Sequence, residues 1–166
     1  ASASQKRINE FLKEKSDIVS EDKKKLEFNG KIEFKNVFFK YKDTQIDGME
    51  NISFIINPGE SLGIIGSTGS GKSTIANSLL RLFDVDKGEI LIDEINIKNL
   101  DITHFRKQIG YVPQDVFLFS DTIENNILFG SENKDFKSVE EAAINADLMR
   151  NINSFRKKFN TKIGEI

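Results

Sequence analysis

The rhythm of hydrophobic and polar positions changes several times along this chain. Ile8, Phe11 and Leu12 fall at i, i+3 and i+4, which predicts a short amphipathic helix near the start. Residues 16–30 carry charge runs such as Glu21-Asp22-Lys23-Lys24-Lys25 and read as a solvated connector. From Lys31 the pattern alternates. Ile32, Phe34 and Val37-Phe38-Phe39 with interleaved Glu33 and Lys35 predict a half-exposed strand, and Ile52, Phe54 and Ile55-Ile56 predict a second. Asn57-Pro58-Gly59-Glu60 is a turn. Ser61 to Gly66 is short and apolar on both faces, the pattern of a buried parallel strand. Ser73 to Phe83 places Ile75, Leu79, Leu80, Leu82 and Phe83 on helical spacing. Glu89–Asp93 and Ile109–Val112 read as short strands, with a helix over Thr103–Lys107 capped by Asp101 between them. Beyond Gln114 the pattern is mainly helical, over Ile123–Phe129 and then Val139–Met149. Antiparallel strands followed by mixed strands and helices place the chain in the α/β class with an antiparallel appendage.

The chemistry concentrates in Gly66-Ser67-Thr68-Gly69-Ser70-Gly71-Lys72-Ser73-Thr74, which fits G-x-x-x-x-G-K-S. Phosphate oxygens need several N–H donors converging on one point. Glycines let the backbone curl and approach closely. A helix opening directly after the loop offers N–H groups without internal partners, and its dipole favours an anion. Lys72 supplies a point charge for the β- and γ-phosphates, Ser73 a small hydroxyl for Mg²⁺, and Thr74 a further donor. The apolar stretch before the loop and the helical periodicity after it are the context this motif requires. The motif leaves kinases, GTPases, motors and transport ATPases open, although no N/T-K-x-D element for reading guanine is present.

Composition narrows the picture. The chain has 166 residues, the size of one ordinary domain. It has 24 basic and 26 acidic side chains, so no strong field draws it to nucleic acid. Zero cysteines exclude thiol nucleophiles, disulfides and Cys-ligated zinc or iron–sulfur clusters, and a single histidine, His104, excludes a His-rich metal site. No apolar run approaches the roughly 18 residues of a membrane span, and residues 1–15 lack the apolar stretch of a secretion signal.

The flanks of the phosphate loop decide among its families. Tyr41 ends the aromatic run Val37-Phe38-Phe39-Lys40-Tyr41, and Gln114 follows a strand pattern in Tyr111-Val112-Pro113-Gln114-Asp115. Around them stand Asn51-Ile52-Ser53-Phe54, Pro58-Gly59-Glu60, Gly88-Glu89-Ile90-Leu91-Ile92-Asp93, and Leu118-Phe119-Ser120-Asp121-Thr122-Ile123-Glu124-Asn125-Asn126-Ile127. From about Lys31 onward the chain resembles the nucleotide-binding domain of ABC transporters, in particular the exporter branch with its lipid and multidrug exporters. Residues 1–30 are similar to the segment linking their membrane domain to the ATPase domain.

The resemblance implies a P-loop NTPase core with an antiparallel β subdomain and, from about residue 115, the start of a helical subdomain. It implies ATP and Mg²⁺ as ligands. Tyr41 matches the aromatic that stacks on adenine, Gly66 through Thr74 the phosphate cradle, and Gln114 the glutamine that binds Mg²⁺ and orients the attacking water. Phe117, Leu118 and Phe119 match the region facing the membrane domain, although they would serve equally as core. The implied partners are a second nucleotide-binding domain, in a homo- or heterodimer, and a transmembrane domain in the parent chain. The implied place is the cytoplasmic face of a membrane. His104 lies upstream of where the family keeps its catalytic histidine and reads as a surface helix residue, and Asp93-Glu94 replaces the family's usual Asp-Gly turn.

Thr161-Lys162-Ile163-Gly164-Glu165 resembles the approach to the family's signature, yet these residues contain no Leu-Ser-Gly-Gly-Gln and no apolar strand ending in Asp-Glu after Gln114. Asp93-Glu94 after Ile90-Leu91-Ile92 mimics that strand but precedes Gln114, the wrong side for the family. The expectation is a partial domain that binds nucleotide weakly and does not hydrolyse it alone, with apolar sheet faces left uncovered. A soluble ABC ATPase and a non-hydrolysing regulatory module are the competing readings.

Overall fold

The computed structural model describes residues 2–13, 18, 24–131 and 133–164, which form two compact units, 1–110 and 111–166. The first unit opens with helix α1 (Ser2–Lys13). Its Ile8, Phe11 and Leu12 share one face, as their spacing requires, and that face is exposed.

The body of this unit is a four-stranded antiparallel sheet in the order β2-β1-β3-β4, from β1 (Ile32–Lys40), β2 (Asp47–Ile56), β3 (Lys87–Ile92) and β4 (Ile95–Asn96). Strand β1 is central, with Ile32 opposite both Ile56 and Ile92. Its alternation puts Phe34, Val37 and Phe39 into the core, where Phe34 stacks on Phe54 at 4.4 Å. Helix α2 (Lys72–Leu79) and helix α3 (Ile102–Lys107) complete the unit, and Ile102, Phe105, Ile75 and Leu79 pack into the same core. Asp101 caps α3 as expected, its carboxylate accepting from the His104 N–H at 2.9 Å.

The α2 helix ends four residues before the periodic pattern does. Arg81 adopts φ 48°, and the Arg81 and Leu82 amides return to the Ser78 and Asn77 carbonyls at 3.0 Å each. This is a Schellman ending with arginine in the left-handed position that glycine usually fills. The side chain offsets that strain. Its guanidinium is buried and forks onto Asp84 at 2.8 and 3.3 Å, which holds the Asp84 carboxyl below its ordinary value. Arg106 from α3 donates to the Leu80 and Arg81 carbonyls at 2.8 and 2.7 Å and fastens the same helix end.

Two expected strands do not form. Ser61–Gly66 and Ile109–Val112 carry no ladder, because no strand among the described residues pairs with either segment. Ile65 and Val112 stand fully or largely in solvent. An apolar parallel strand is stable only with neighbours on both edges and layers on both faces.

The connector reading changes at its end. Residues 14–17 and 19–23 lie outside the described residues, but 24–31 are bonded into the first unit. The Lys24 N–H donates to Asn99 O at 3.1 Å. The Gln108 amide accepts from Phe28 N at 3.2 Å and donates to Leu26 O at 2.7 Å. Leu26 and Phe28 pack on the core, Phe28 against Phe105. His104 lies on α3 as expected and is partly covered, with Nε2 3.0 Å from a Glu27 oxygen.

In the second unit, β5 (Asp121–Thr122) pairs with β6 (Lys162–Ile163) beside α4 (Ile123–Leu128), α5 (Phe136–Asn145) and α6 (Met149–Ser154). Ile123, Val139, Ala143, Ile152 and Phe159 form its core. Thr122 caps α4 through Asn125 N, and Asp135 caps α5 through Ser138 N, a bond that lowers the Asp135 pKa. The single helix expected over Val139–Met149 is broken at Asp147 (φ 55°), where Asp147 N and Leu148 N bond Ile144 O and Ala143 O.

Asp93 and Glu94 connect β3 to β4 with φ 46° and 68°, both left-handed, as a two-residue hairpin of type I′ requires. Asp93 accepts from Asn29 N at 2.6 Å and Lys31 N at 3.0 Å. Among the described residues Glu94 makes only an exposed ion pair, with Lys31 at 3.2 Å. Glu94→Gly is expected to stabilise the chain by about 0.5–1 kcal/mol, since it relieves left-handed strain and loses a weak pair. Asp93→Ala is expected to destabilise it by about 1–2 kcal/mol through the loss of two hydrogen bonds from main-chain amides to its carboxylate. Urea midpoints of the two variants should move in opposite directions.

Candidate functional site: a phosphate loop and an aromatic platform

The site grows from the β1–β2 hairpin and the loop before α2. Tyr41 follows β1, where its N–H donates to Ile46 O at 2.9 Å and its carbonyl accepts from Gln45 N at 2.8 Å. Strand β2 begins next with Asp47 and Gly48. Gly71 is the residue preceding α2, with φ 85° and ψ 9°. A side chain there would be excluded twice over, by the left-handed backbone and by the Gly48 carbonyl, which a Cβ would meet at 2.2 Å. The close approach of these two glycines sets the start of α2 against the hairpin.

Tyr41 and residues 69–74 line one open cleft of about 290 Å³ together with Ile46, Asp47 and Gly48. Gly66, Ser67 and Thr68, the first residues of the loop, are exposed and do not line this cleft. The Lys72 ammonium donates to the Gly66 carbonyl at 2.9 Å and the Ser67 carbonyl at 2.6 Å, and lies 3.4 Å from the Ser70 hydroxyl. The cation is therefore held at the centre of the loop by main-chain oxygens. Thr74 is buried, and its hydroxyl meets the Tyr41 hydroxyl at 3.0 Å. The Tyr41 ring sits edge-on to Phe39 at 4.9 Å, and Phe39 stacks on Phe83 at 3.8 Å.

An exposed ammonium, a curled backbone and the first N–H groups of an eight-residue helix make this end of the cleft suited to a polyanion. The Tyr41 end offers an aromatic surface suited to a planar base. The one carboxylate lining the cleft, Asp47, is paired with Lys40 at 3.5 Å. No cluster of three or more acidic or His side chains that could hold a metal gathers among the described residues. The exposed Ser73 hydroxyl suits Mg²⁺ carried in on phosphate oxygens, since that ion accepts one or two protein ligands and keeps the rest as water or phosphate.

Gln114 belongs to the second unit, at a bend, with its side chain exposed. Phe117, Leu118 and Phe119 are exposed as well, with Phe119 packed against Phe117 and Phe129. Asn126 organises their loop by accepting from Phe119 N at 2.8 Å and donating to Phe119 O and Thr122 O. Sequence reasoning missed Ile46, Asp47 and Gly48. A glycine two residues into an otherwise substituted strand was the available signal.

The sequence pattern of the ABC transporter family matches residues 49–163, more than half of the chain. The chain belongs to the ABC transporter family. It is 38% identical over 165 residues to the uncharacterized ABC transporter ATP-binding protein YfiB of Bacillus subtilis, covering 99% of this chain and 29% of that protein. It is 45% identical over 137 residues to ATP-binding cassette sub-family B member 6 of Xenopus tropicalis, covering 82% of this chain and 16% of that one. An ATP-dependent lipid A-core flippase of Hahella chejuensis is 40% identical over 137 residues, 82% of this chain and 23% of the flippase. Among solved structures, a bacterial Atm1-family ABC exporter with ATP bound superposes with a TM-score of 0.90 and 32% identity, over 98% of this chain and 29% of that one. The chain thus spans less than a third of the length of these relatives. Its antiparallel sheet and helices are those of an ABC ATPase domain, a fold whose family binds and hydrolyses ATP.

Within this ABC domain the Gly48–Gly71 approach is a fixed requirement. Gly71→Ala is expected to destabilise the chain by at least about 1–2 kcal/mol from backbone strain alone. Chemical denaturation should show the loss, and it should persist in saturating salt because no charge is involved.

Proposed function

We propose that this chain supplies the ATP-binding part of an exporter-type ABC transporter whose whole protein couples ATP binding and hydrolysis to export across a membrane. The observation that carries this reading is that one cleft is lined by an aromatic ring, Tyr41, and by the helix start bearing Lys72. In this reading Tyr41 stacks on adenine, the amides of residues 66–74 and the Lys72 ammonium hold the phosphates, and Ser73 with Gln114 holds Mg²⁺. Gln114 also orients the attacking water. The names of the relatives, a lipid A-core flippase and an Atm1-family exporter among them, support the transport role.

The remaining assignments follow from the same reading. Residues 1–30 connect to a membrane domain, residues 31–166 form part of the nucleotide-binding domain, and the helical part begins near residue 115. Phe117, Leu118 and Phe119, exposed on their loop, face that membrane domain at the cytoplasmic side. A second nucleotide-binding domain is the partner across ATP. Among the described residues no helix is long and apolar enough to cross a membrane.

Calorimetric titration of the 166-residue chain with Mg·ATP tests the reading. Lys72→Ala removes a charge-assisted contact, so affinity should fall about 10- to 100-fold. Equal affinity in the variant would overturn the assignment. The same chain should release no phosphate from ATP, because its sequence holds neither the signature nor an Asp-Glu strand after Gln114. Sustained Mg²⁺-dependent turnover would refute that.

A further inference from the structure

The two ends of the cleft are physically joined. The Tyr41 hydroxyl lies 3.0 Å from the Thr74 hydroxyl, so the aromatic platform is bonded to the first turn of the helix that follows the phosphate loop. Thr74 is buried and has little freedom to point elsewhere. The ring reaches Thr74 by lying over Gly48. A Cβ on Gly48 would meet Tyr41 Cε2 at 2.9 Å, Thr74 Cγ2 at 3.0 Å and Phe39 Cδ1 at 3.1 Å, all at once. Three side chains converge on the space where this strand residue has none. The main chain of Tyr41 is fixed as well, by its two bonds to Ile46 and Gln45.

We propose that Thr74 and Gly48 are positioning residues for Tyr41, holding its ring over the cleft so that the base end and the phosphate end of the site are set by one rigid contact. The inference rests on the nucleotide reading above and adds to it a role for the tyrosine hydroxyl, which stacking on a base does not need. A Phe at position 41 would keep the ring and lose the tether. A ring so tethered gives up less orientational freedom when a base stacks on it, and pre-organisation of this kind strengthens binding without adding a contact. The backbone N–H of Thr74 belongs to the phosphate-facing turn, so anything that shifts that turn also shifts the ring.

The chain contains two tyrosines and no tryptophan, which makes Tyr41 directly observable. In a Tyr111→Phe background all tyrosine emission comes from Tyr41. Without nucleotide, Thr74→Val, which keeps the branched shape, should increase acrylamide quenching of that emission. Thr74→Ser, which keeps the hydroxyl, should restore the original value. With nucleotide, Tyr41→Phe and Thr74→Val should each lower the ratio of ATP to inorganic tripolyphosphate affinity by about 2- to 10-fold, the worth of one hydrogen bond. The double variant should fall no further, since both changes break the same contact. Gly48→Ala should lower the ratio too, and its folded state can be checked by circular dichroism before it is titrated.

Unchanged quenching in Thr74→Val overturns the tether. Multiplying effects in the double variant, or an unchanged affinity ratio, overturn the positioning role while ATP binding stands. If the unaltered chain binds tripolyphosphate and ATP equally, or neither, the nucleotide reading fails and takes the positioning role with it. In that case the quenching result shows separately whether the Tyr41–Thr74 contact exists.

Discussion

The site is organised by a backbone-to-backbone approach. The Gly48 carbonyl stands where a Cβ on Gly71 would be, and this closeness allows the hairpin and the phosphate loop to share one cleft. Each partner is fixed by something outside the site. Gly48 is held because β2 is zipped to the central strand β1, from Ile56 opposite Ile32 down to Asp47 opposite Lys40. Gly71 is held because the helix it opens is fastened at its far end by Arg81, Asp84 and Arg106. A helix anchored at its C-terminus and indexed at its N-terminus has little room to slide, so Lys72, Ser73 and Thr74 are presented to the cleft at a fixed height. The Lys72 ammonium completes the arrangement by drawing the Gly66 and Ser67 carbonyls around itself. The loop is thereby curved through the side chain of the residue that serves it.

Several element ends are made by non-glycine residues in left-handed conformations, each at a cost of about 1 kcal/mol or more. The cost is offset wherever the side chain contributes something glycine cannot. Arg81 contributes a buried fork onto Asp84. Asp93 contributes a carboxylate that accepts two amides of the segment entering β1. Glu94 contributes an exposed ion pair and little else, so its strain is less compensated than that of Arg81 or Asp93.

Much of this was legible in the sequence because it is local. The three main strands, the cap of α3 by Asp101 and the loop-to-helix transition at Gly71-Lys72 each follow from residue type within a few positions. The failures share a cause, which is that the deciding interaction is non-local. Ser61–Gly66 has the composition of a buried strand, but composition does not supply neighbours, and none among the described residues pairs with it. Helix α2 keeps its apolar spacing through Phe83, yet a Schellman turn stops it at Leu79 so that Phe83 can stack on Phe39. The break at Asp147 interrupts an equally continuous pattern. Leu26 and Phe28 have the charged flanks of a connector, and the fold brings them to Phe105 and Gln108. Gly48 and Asp47 escaped the motif because they belong to a different element from the loop they complete.

The contrast between Asp93 and Lys72 shows why spacing alone does not assign a role. Asp93-Glu94 ends an apolar strand as a metal-binding acid pair would, but both Asp93 oxygens already accept main-chain amides at 2.6 and 3.0 Å. A cation at this carboxylate would compete with both amides, and displacing them would loosen the segment they hold at the entry to β1. Lys72 is also hydrogen-bonded, but its partners are carbonyls of the exposed loop it belongs to. A phosphate oxygen carries more negative charge than a carbonyl and can replace them, because the displaced carbonyls lie in an exposed loop where water satisfies them. What separates the structural residue from the binding residue is therefore what its present partners lose when a ligand arrives. By that criterion the cleft at Lys72 is poised for a ligand, whereas the hairpin at Asp93 is already complete.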